Sequence, residues 1–218
     1  MLDRAVLIVD TIARDGASSL ADLVRTTDLP RPTAHRLAVA LEQHGLLVRD
    51  RDGRFALGGR VAGWAVAADR ALIERARPVL AALVDETGES AQLYVREGDV
   101  RVCVAMHERA SGLRDTVPLG AVMPLTKGSG GKVLLAWAAD RDRFDVAPST
   151  LAAVRKRGWA ESSGEREPGV ASVSAPIRDH TGTVLAAVSV SGPAERLGAR
   201  PGPKLAPLVT RAAAELAS

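Results

Sequence analysis

A single cysteine, Cys103, stands in a chain of 218 residues, so no intrachain disulfide is possible. Aromatic residues make up only 3%, which leaves Ala, Val and Leu to build the core. No apolar run is long enough to span a bilayer, and no basic segment followed by an apolar one opens the chain, so the expected compartment is the cytoplasm. His107 and His180 are isolated and no Cys/His cluster has metal-ligand spacing, so neither metal nor cofactor is expected. Paired acids and a nucleophile with its base are also missing, which argues against an enzyme. Lysine is scarce: arginine supplies 25 of the 29 basic residues, a bias that suits phosphate and base recognition but equally follows from a GC-rich genome.

What is present is an ordinary globular composition, 46% hydrophobic and 25% charged, with a net charge of +3 that permits a nucleic-acid partner without arguing for one. The length suits two domains. Residues 3–14 have helical spacing, with Val6, Val9 and Ile12 on one face and Ala5 and Ile8 beside them, and Gly16 ends the run. Ser18 and Ser19 offer an N-cap with Asp22 in the first turn of a second helix, whose Leu20, Leu23 and Val24 face inward. Asp28, Leu29 and Pro30 break it. A third helix is expected from Pro32 to Gly45, burying Leu37, Leu41 and Val39 or Ala40. Strand-like segments 46–50 and 54–57 flank Asp52-Gly53, a two-residue hairpin signal. Residues 60–73 form a linking helix with a stripe of Val61, Trp64 and Ala65 or Ala68.

Beyond it the rhythm is α+β. A helix over 74–87, with Pro78 near its start, buries Leu80, Leu83 and Val84. Strands follow at 90–96 and 100–106 around Glu97-Gly98-Asp99, with a shorter one near Thr116-Val117-Pro118. Helices are expected at 130–139 and 148–157, strands at 170–177 and 183–191, and a closing helix at 203–217. Cys103, in an alternating strand, reads as a small buried hydrophobe; no neighbour would lower its pKa to make it a redox thiol.

Three short helices and a hairpin within 58 residues are the pattern of a winged helix-turn-helix, whose last helix enters the major groove with its first turns against the base edges. Those turns hold Arg31, Pro32, Thr33, His35 and Arg36. Arginine pairs bidentately with guanine, and Thr33 and His35 can bond phosphates or bases. Arg49, Arg51 and Arg54 crowd the hairpin, where a wing meets the backbone or minor groove. Residues 1–60 nevertheless carry nine basic and eight acidic side chains. Asp50 and Asp52 weaken the case for a wing, and a protein-interaction adaptor remains the alternative.

The stretch LADLVRTTDLPRPTAHRLAVALEQHGLLVRDRDGRFALG resembles the winged helix-turn-helix of IclR-family regulators. So do ETGESAQLYVREGDVRVCVA, PLTKGSGGKVLLAW, GWAESSGEREPGVASVSAPIRD and LAAVSVSGPAERL resemble that family's C-terminal half, in the same order and over essentially the whole chain. The wording is nearest the actinobacterial NdgR type, regulators of leucine and other amino-acid biosynthesis. One departure is Asp28, where the family often has Gly in the turn before the recognition helix; Asp tolerates left-handed geometry, so the turn is expected to survive.

The resemblance implies a winged helix-turn-helix DNA-binding domain over 1–58, a linker helix over 59–74 and a GAF-like effector-binding domain over 75–218. It implies a homodimer, formed largely through the N-terminal region and linker helix and often paired again into a dimer of dimers. Such a dimer would read a pseudo-palindromic operator as repressor or activator. Lys127-Gly128-Ser129-Gly130-Gly131 precedes a helix and fits an anion site, its glycines letting a ligand approach. It is neither a Walker A loop, since Thr126 and Val133 stand where Gly and Ser/Thr are required, nor a nucleophile elbow. In family members that bind small carboxylates the ligand sits on this loop and on polar strand residues. That matches Ser129, Gly130, Ser172, Ser189 and Ser191 here, with Met123 as an apolar wall. A branched-chain amino acid or small carboxylate is the implied effector. Along their strands Ser189 shares a face with Ser191, and Ser172 with Ser174; singly, each serine is as well explained by tight packing.

Overall fold

In the computed structural model residues 1–217 are described, save the side chains at positions 62 and 65–69. The chain divides into two compact units at Arg70/Ala71.

In the first unit, α1 (Leu2–Asp15), α2 (Leu20–Thr27) and α3 (Arg31–Gln43) precede a hairpin of β1 (Leu47–Arg49) and β2 (Phe55–Leu57). Ser19 caps α2: its Oγ accepts from Asp22 N–H at 3.2 Å while the Asp22 carboxylate accepts from Ser19 N–H at 3.2 Å, a complete capping box. Asp28 holds the turn between α2 and α3 at φ 54° and ψ 23°, the left-handed conformation its short polar side chain tolerates. The core gathers Ile8, Ile12, Leu23, Leu29, Ala34, Leu37, Ala38, Leu41, Leu47 and Phe55. Val6 is exposed instead of inward, because the buried face of α1 runs through Ile8, Thr11 and Ile12. On α3 it is Ala38, adjoining Leu37 and Leu41, that is fully buried, while Val39 and Ala40 sit at the margin. The hairpin turn is one residue longer than the Asp52-Gly53 signal suggests. Asp50 N–H donates to Arg54 O at 2.9 Å and Gly53 N–H to Asp50 O at 3.0 Å, with Gly53 at φ 73°, so residues 51–53 form a three-residue loop.

The two helices expected at 60–73 and 74–87 are one, α4 (Gly59–Thr87), which runs through Pro78. Proline removes one ladder hydrogen bond from a helix interior. Here it sits on an exposed face while Ala76, Val79, Leu80, Leu83 and Val84 are buried, and their burial outweighs the lost bond. Trp64 is 55% exposed, and Ala65 and Ala68, the other candidates for its apolar stripe, lie outside the described side chains.

The second unit is an antiparallel sheet of six strands in the order β5-β4-β3-β8-β7-β6. These are β3 (Ser90–Glu97), β4 (Val100–His107), β5 (Val122–Pro124), β6 (Ala160–Ser163), β7 (Val170–Arg178) and β8 (Val184–Pro193). The helices are α5 (Gly128–Ala136), α6 (Pro148–Arg157), the short α7 (Ala194–Leu197) and α8 (Gly202–Leu216), with a 3-10 turn at Arg141–Arg143. Strand residues alternate between two cores. Leu93, Val173, Ala175, Val188 and Val190 pack with α8 and with Leu80 and Leu83 of α4. Tyr94, Cys103 and Ala187 pack with Val133, Leu135, Leu151 and Val154 of α5 and α6. Thr116-Val117-Pro118 is not a strand. Pro118 lacks a donor and its carbonyl accepts from Ala121 N–H at 3.0 Å, a turn after which Gly120 and Ala121 bond Cys103 of β4 and the strand itself runs from Val122. The architecture is α+β, a helix-turn-helix unit followed by an antiparallel sheet with helices.

Candidate functional site

Along α3 the sequence separates two faces by the helical period. Ala34, Leu37, Ala38 and Leu41 are buried, while Arg31, Pro32, His35 and Arg36 are exposed and Thr33 is half-buried. Arg31 and Arg36 form no ion pair among the described residues, so both guanidinium groups are available to an outside partner. On the hairpin the three arginines differ. Arg49 stacks on Phe55, 4.3 Å from the ring centroid, and its Nε lies 3.2 Å from the Glu42 carboxylate. Arg54 pairs with Asp50 at 2.8 Å and with Asp52 at 3.4 Å. Arg51, at the tip, is exposed. Asp50, one of the acids that weaken the wing in the sequence, shapes the turn: its carboxylate accepts from the N–H groups of Asp52 and Arg54, each at 2.9 Å. Those bonds, the Arg54 N–H first, hold its carboxyl below the usual carboxylate range.

In the sheet unit the register assembles hydroxyl groups on the face covered by α5. Ser162 pairs with Ser172 and Ser172 with Ser191, while Ser174 pairs with Ser189 and Ser189 with Gln92. A period of two thus turns serines on three strands into adjacent rows. Ser129, in the first turn of α5, sits over them with its Oγ 2.7 Å from both Ser172 Oγ and Ser174 Oγ. Ser174 donates to Ser189 at 2.9 Å, and Ser189 to the Val173 carbonyl at 3.4 Å. Each hydroxyl has one proton, so the sequence of donors is fixed: Ser172 to Ser129, Ser129 to Ser174, Ser174 to Ser189. Ser191 and the Gln92 side chain exchange bonds of 2.9 and 3.1 Å.

Above these rows lies a small cleft, with free room of about 20 Å³, bounded by Ser129, Gly130, Ser162, Ser172, Ser189 and Ser191 together with Tyr94, Arg101, Asp115 and Arg166. Five of the six sequence-named residues therefore meet. Met123 does not line it; its sulfur lies 3.8 Å from Arg101 Nη2. The glycines serve a different purpose from the expected one. A Cβ on Gly131 would fall 2.2 Å from the Leu125 carbonyl oxygen and 2.6 Å from Arg101 Nη1, and one on Gly130 would fall 3.0 Å from the Tyr94 ring. They let α5 close onto the protein's own chain, which is why the Gly-rich loop is the helix's first turn and α5 starts at Gly128, two residues early.

Sequence reasoning missed Tyr94, Arg101, Asp115, Ser162 and Arg166. Asp115, 6% exposed, pairs with Arg166 at 2.5 Å. Arg101, 3% exposed, donates from Nη1 to the carbonyls of Pro124 at 2.9 Å and Lys127 at 2.5 Å, and lies 5.2 Å from the Tyr94 ring centroid. Burial lowers its pKa and pushes the Tyr94 hydroxyl well above its ordinary value. Cys103 is fully buried in the core shared with Tyr94, and burial pushes its thiol up to about 11. Among the described residues no group of His, Cys, Asp or Glu is arranged to hold a metal, and no helix is long and apolar enough to cross a membrane.

A helix-turn-helix whose third helix exposes a basic face, followed by a sheet domain with a polar pocket, is the arrangement of a DNA-binding regulator. Residues 1–51 match the IclR helix-turn-helix domain, and residues 64–147 and 145–218 match the bacterial transcriptional regulator IclR C-terminal domain. The regulator BhcR of Paracoccus denitrificans is 32% identical, with 99% of this chain and 85% of that protein aligned. The repressor AllR of Escherichia coli K12 is 27% identical over 90% of this chain and 81% of its own length. The crystal structure of an IclR-family regulator from a Rhodococcus species superposes with a TM-score of 0.66 at 29% identity, covering 99% of this chain and 91% of that one. The protein belongs to the IclR family of bacterial transcriptional regulators, and its relatives are named as regulators, not enzymes.

Proposed function

We propose that the protein is a ligand-responsive, sequence-specific regulator that binds a pseudo-palindromic operator as a homodimer, with 1–58 as its DNA-binding domain, 59–74 as its linker and 75–218 as its effector domain. The observation that carries this reading is the two-faced α3: Arg31, Pro32, His35 and Arg36 stand free in solvent on a helix anchored by Ala34, Leu37, Ala38 and Leu41. Arg36 and Arg31 address base edges, Thr33 and His35 bases or phosphates, and Arg51 with Arg49 and Arg54 the backbone beside the wing. Two-fold symmetry sets the half-sites about one DNA turn apart.

The effector, on this proposal, is a small carboxylate seated among Ser129, Gly130, Ser172, Ser189 and Ser191. The resemblance of the four C-terminal motifs to the NdgR type supports genes of amino-acid biosynthesis, leucine and its branched-chain relatives included, as the targets. Ligand in the sensor domain shifts α4 and with it the spacing of the two recognition helices. Such coupling amounts to about 1–3 kcal/mol and is reciprocal. The test is calorimetric titration of a stabilising acid, found by a thermal-shift screen of amino acids and keto acids, with and without an operator selected from random-sequence DNA. Affinities that differ by about fivefold or more, about 1 kcal/mol, support the reading; identical affinities refute it.

A further inference from the structure

Arg101 is the one charged side chain at the cavity whose charge the fold leaves unanswered among the described residues. Asp115 and Arg166 neutralise each other. Glu165 is engaged with Lys132 and with Gly128 N–H. Arg101 forms no ion pair among the described residues, although it is buried to 3% exposure. A buried cation persists at a cost unless something of opposite charge reaches it.

Its hydrogen bonds are also lopsided. Nη1 is spent on the carbonyls of Pro124 and Lys127. Nε, by contrast, is buried without a partner, and Nη2 meets only the Met123 sulfur at 3.8 Å. Nε and Nη2 form one edge of the planar guanidinium, the edge that grips two oxygens of a carboxylate in parallel. That edge lies against the glycine turn that opens α5, where no side chain intervenes. Nη2 lies 3.1 Å from where a Cβ on Gly128 would stand, and Nε 3.7 Å from one on Gly130, both residues lining the cavity. The Tyr94 ring backs the guanidinium, and the bonds to the β5–α5 connection fix its plane.

We propose that the Nε–Nη2 edge of Arg101 is the carboxylate receptor of this cavity, binding a small monoanionic acid in two parallel hydrogen bonds while the serine rows take its remaining oxygens. The net charge of the lining, Arg101 alone once Asp115 and Arg166 cancel, matches one negative charge. The serines confer shape and Arg101 the charge requirement, so an acid is taken and its amide refused. This rests on reading the cavity as the effector site.

The test uses the full-length protein with lactate, its neutral analogue lactamide, and sodium chloride at equal ionic strength, followed by thermal shift and calorimetry. Lactate is expected to bind and stabilise, lactamide and chloride not. Arg101→Gln should weaken lactate about 30-fold or more. Arg101→Lys, which keeps the charge and a donor for the two carbonyls but loses the fork, should fall between. Because a scaffold arginine would alter stability without altering ligand choice, the deciding quantity is the lactate-to-lactamide affinity ratio, which should collapse towards one in Arg101→Gln. No response to lactate, or an unchanged ratio in both variants, overturns the assignment. The two readings fail separately. Lactate binding through Arg101 with no effect on operator affinity would sink the effector role and leave the receptor standing; lactate acting on operator affinity equally in wild type and Arg101→Gln would do the reverse.

Discussion

Single residues here take their properties from where alternation puts them. Cys103 and Arg101 point the same way from β4, two residues apart, and both are buried. For the thiol, burial is the whole story: with its pKa raised to about 11 and no exposed surface, it is neither nucleophilic nor reachable at neutral pH. A thiol-specific disulfide reagent at about pH 7.5, below the ordinary thiol pKa, should therefore label the native protein no faster than it unfolds, and label the denatured protein at once. Prompt stoichiometric labelling of the folded protein would contradict this. Arg101 is the more instructive of the two. An arginine at an inward position of VRVCVAM is visible in the sequence as a charge on the wrong side of a strand. Its partners are not visible, because the carbonyls of Pro124 and Lys127 reach it only through the β4–β5 pairing.

Among the elements, those with a strong period and a side-chain cap are legible in the sequence. The capping box of α2, the left-handed turn at Asp28 and the inward residues Leu37 and Leu41 of α3 all follow from local chemistry. Legibility fails where packing overrides a breaker. Pro78 does not end α4, and the glycines before Val133 do not precede α5 but form its first turn. The edge strand β6, Ala160–Ser163, escapes a reading of the sequence because AESS has no apolar alternation and pairing with β7 alone defines it. The serine rows are half legible: period two shows that Ser172 and Ser174 share a face, while only the register reveals Ser162 and Gln92 beside them, and only the packing of α5 brings in Ser129.

The α2 cap carries a prediction at this scale. Ser19→Ala removes an N-cap and should destabilise the helix-turn-helix unit by about 1 kcal/mol at pH 7. The bonds from Ser19, first its hydroxyl, hold the Asp22 carboxyl below its ordinary value. A depressed carboxyl stabilises the fold above its unfolded-state pKa and loses that contribution as pH falls through the folded value. The difference between wild type and Ser19→Ala, measured by denaturant titration, should accordingly be full at pH 7 and shrink below about pH 4. A difference independent of pH would show that the Asp22 charge plays no part.

The molecule as a whole joins two sites with separate physics. One is an exposed basic helix face, which on the proposed function gains affinity by contacting phosphates and specificity by contacting base edges. The other is a polar cavity whose buried guanidinium asks for an anion. The chain carries only a modest net charge of +3, so its grip on DNA has to come from the placement of arginines and not from overall field.

The most direct test of that placement is the affinity of Arg36→Ala for a selected operator at one fixed salt concentration, beside Arg25→Ala, which removes an exposed arginine from α2. Arg36→Ala should bind about 10- to 100-fold more weakly, the value of one bidentate base contact, while keeping its fold and its response to effector, and Arg25→Ala should bind nearly as wild type. Undiminished operator affinity in Arg36→Ala would contradict the claim that α3 reads the DNA.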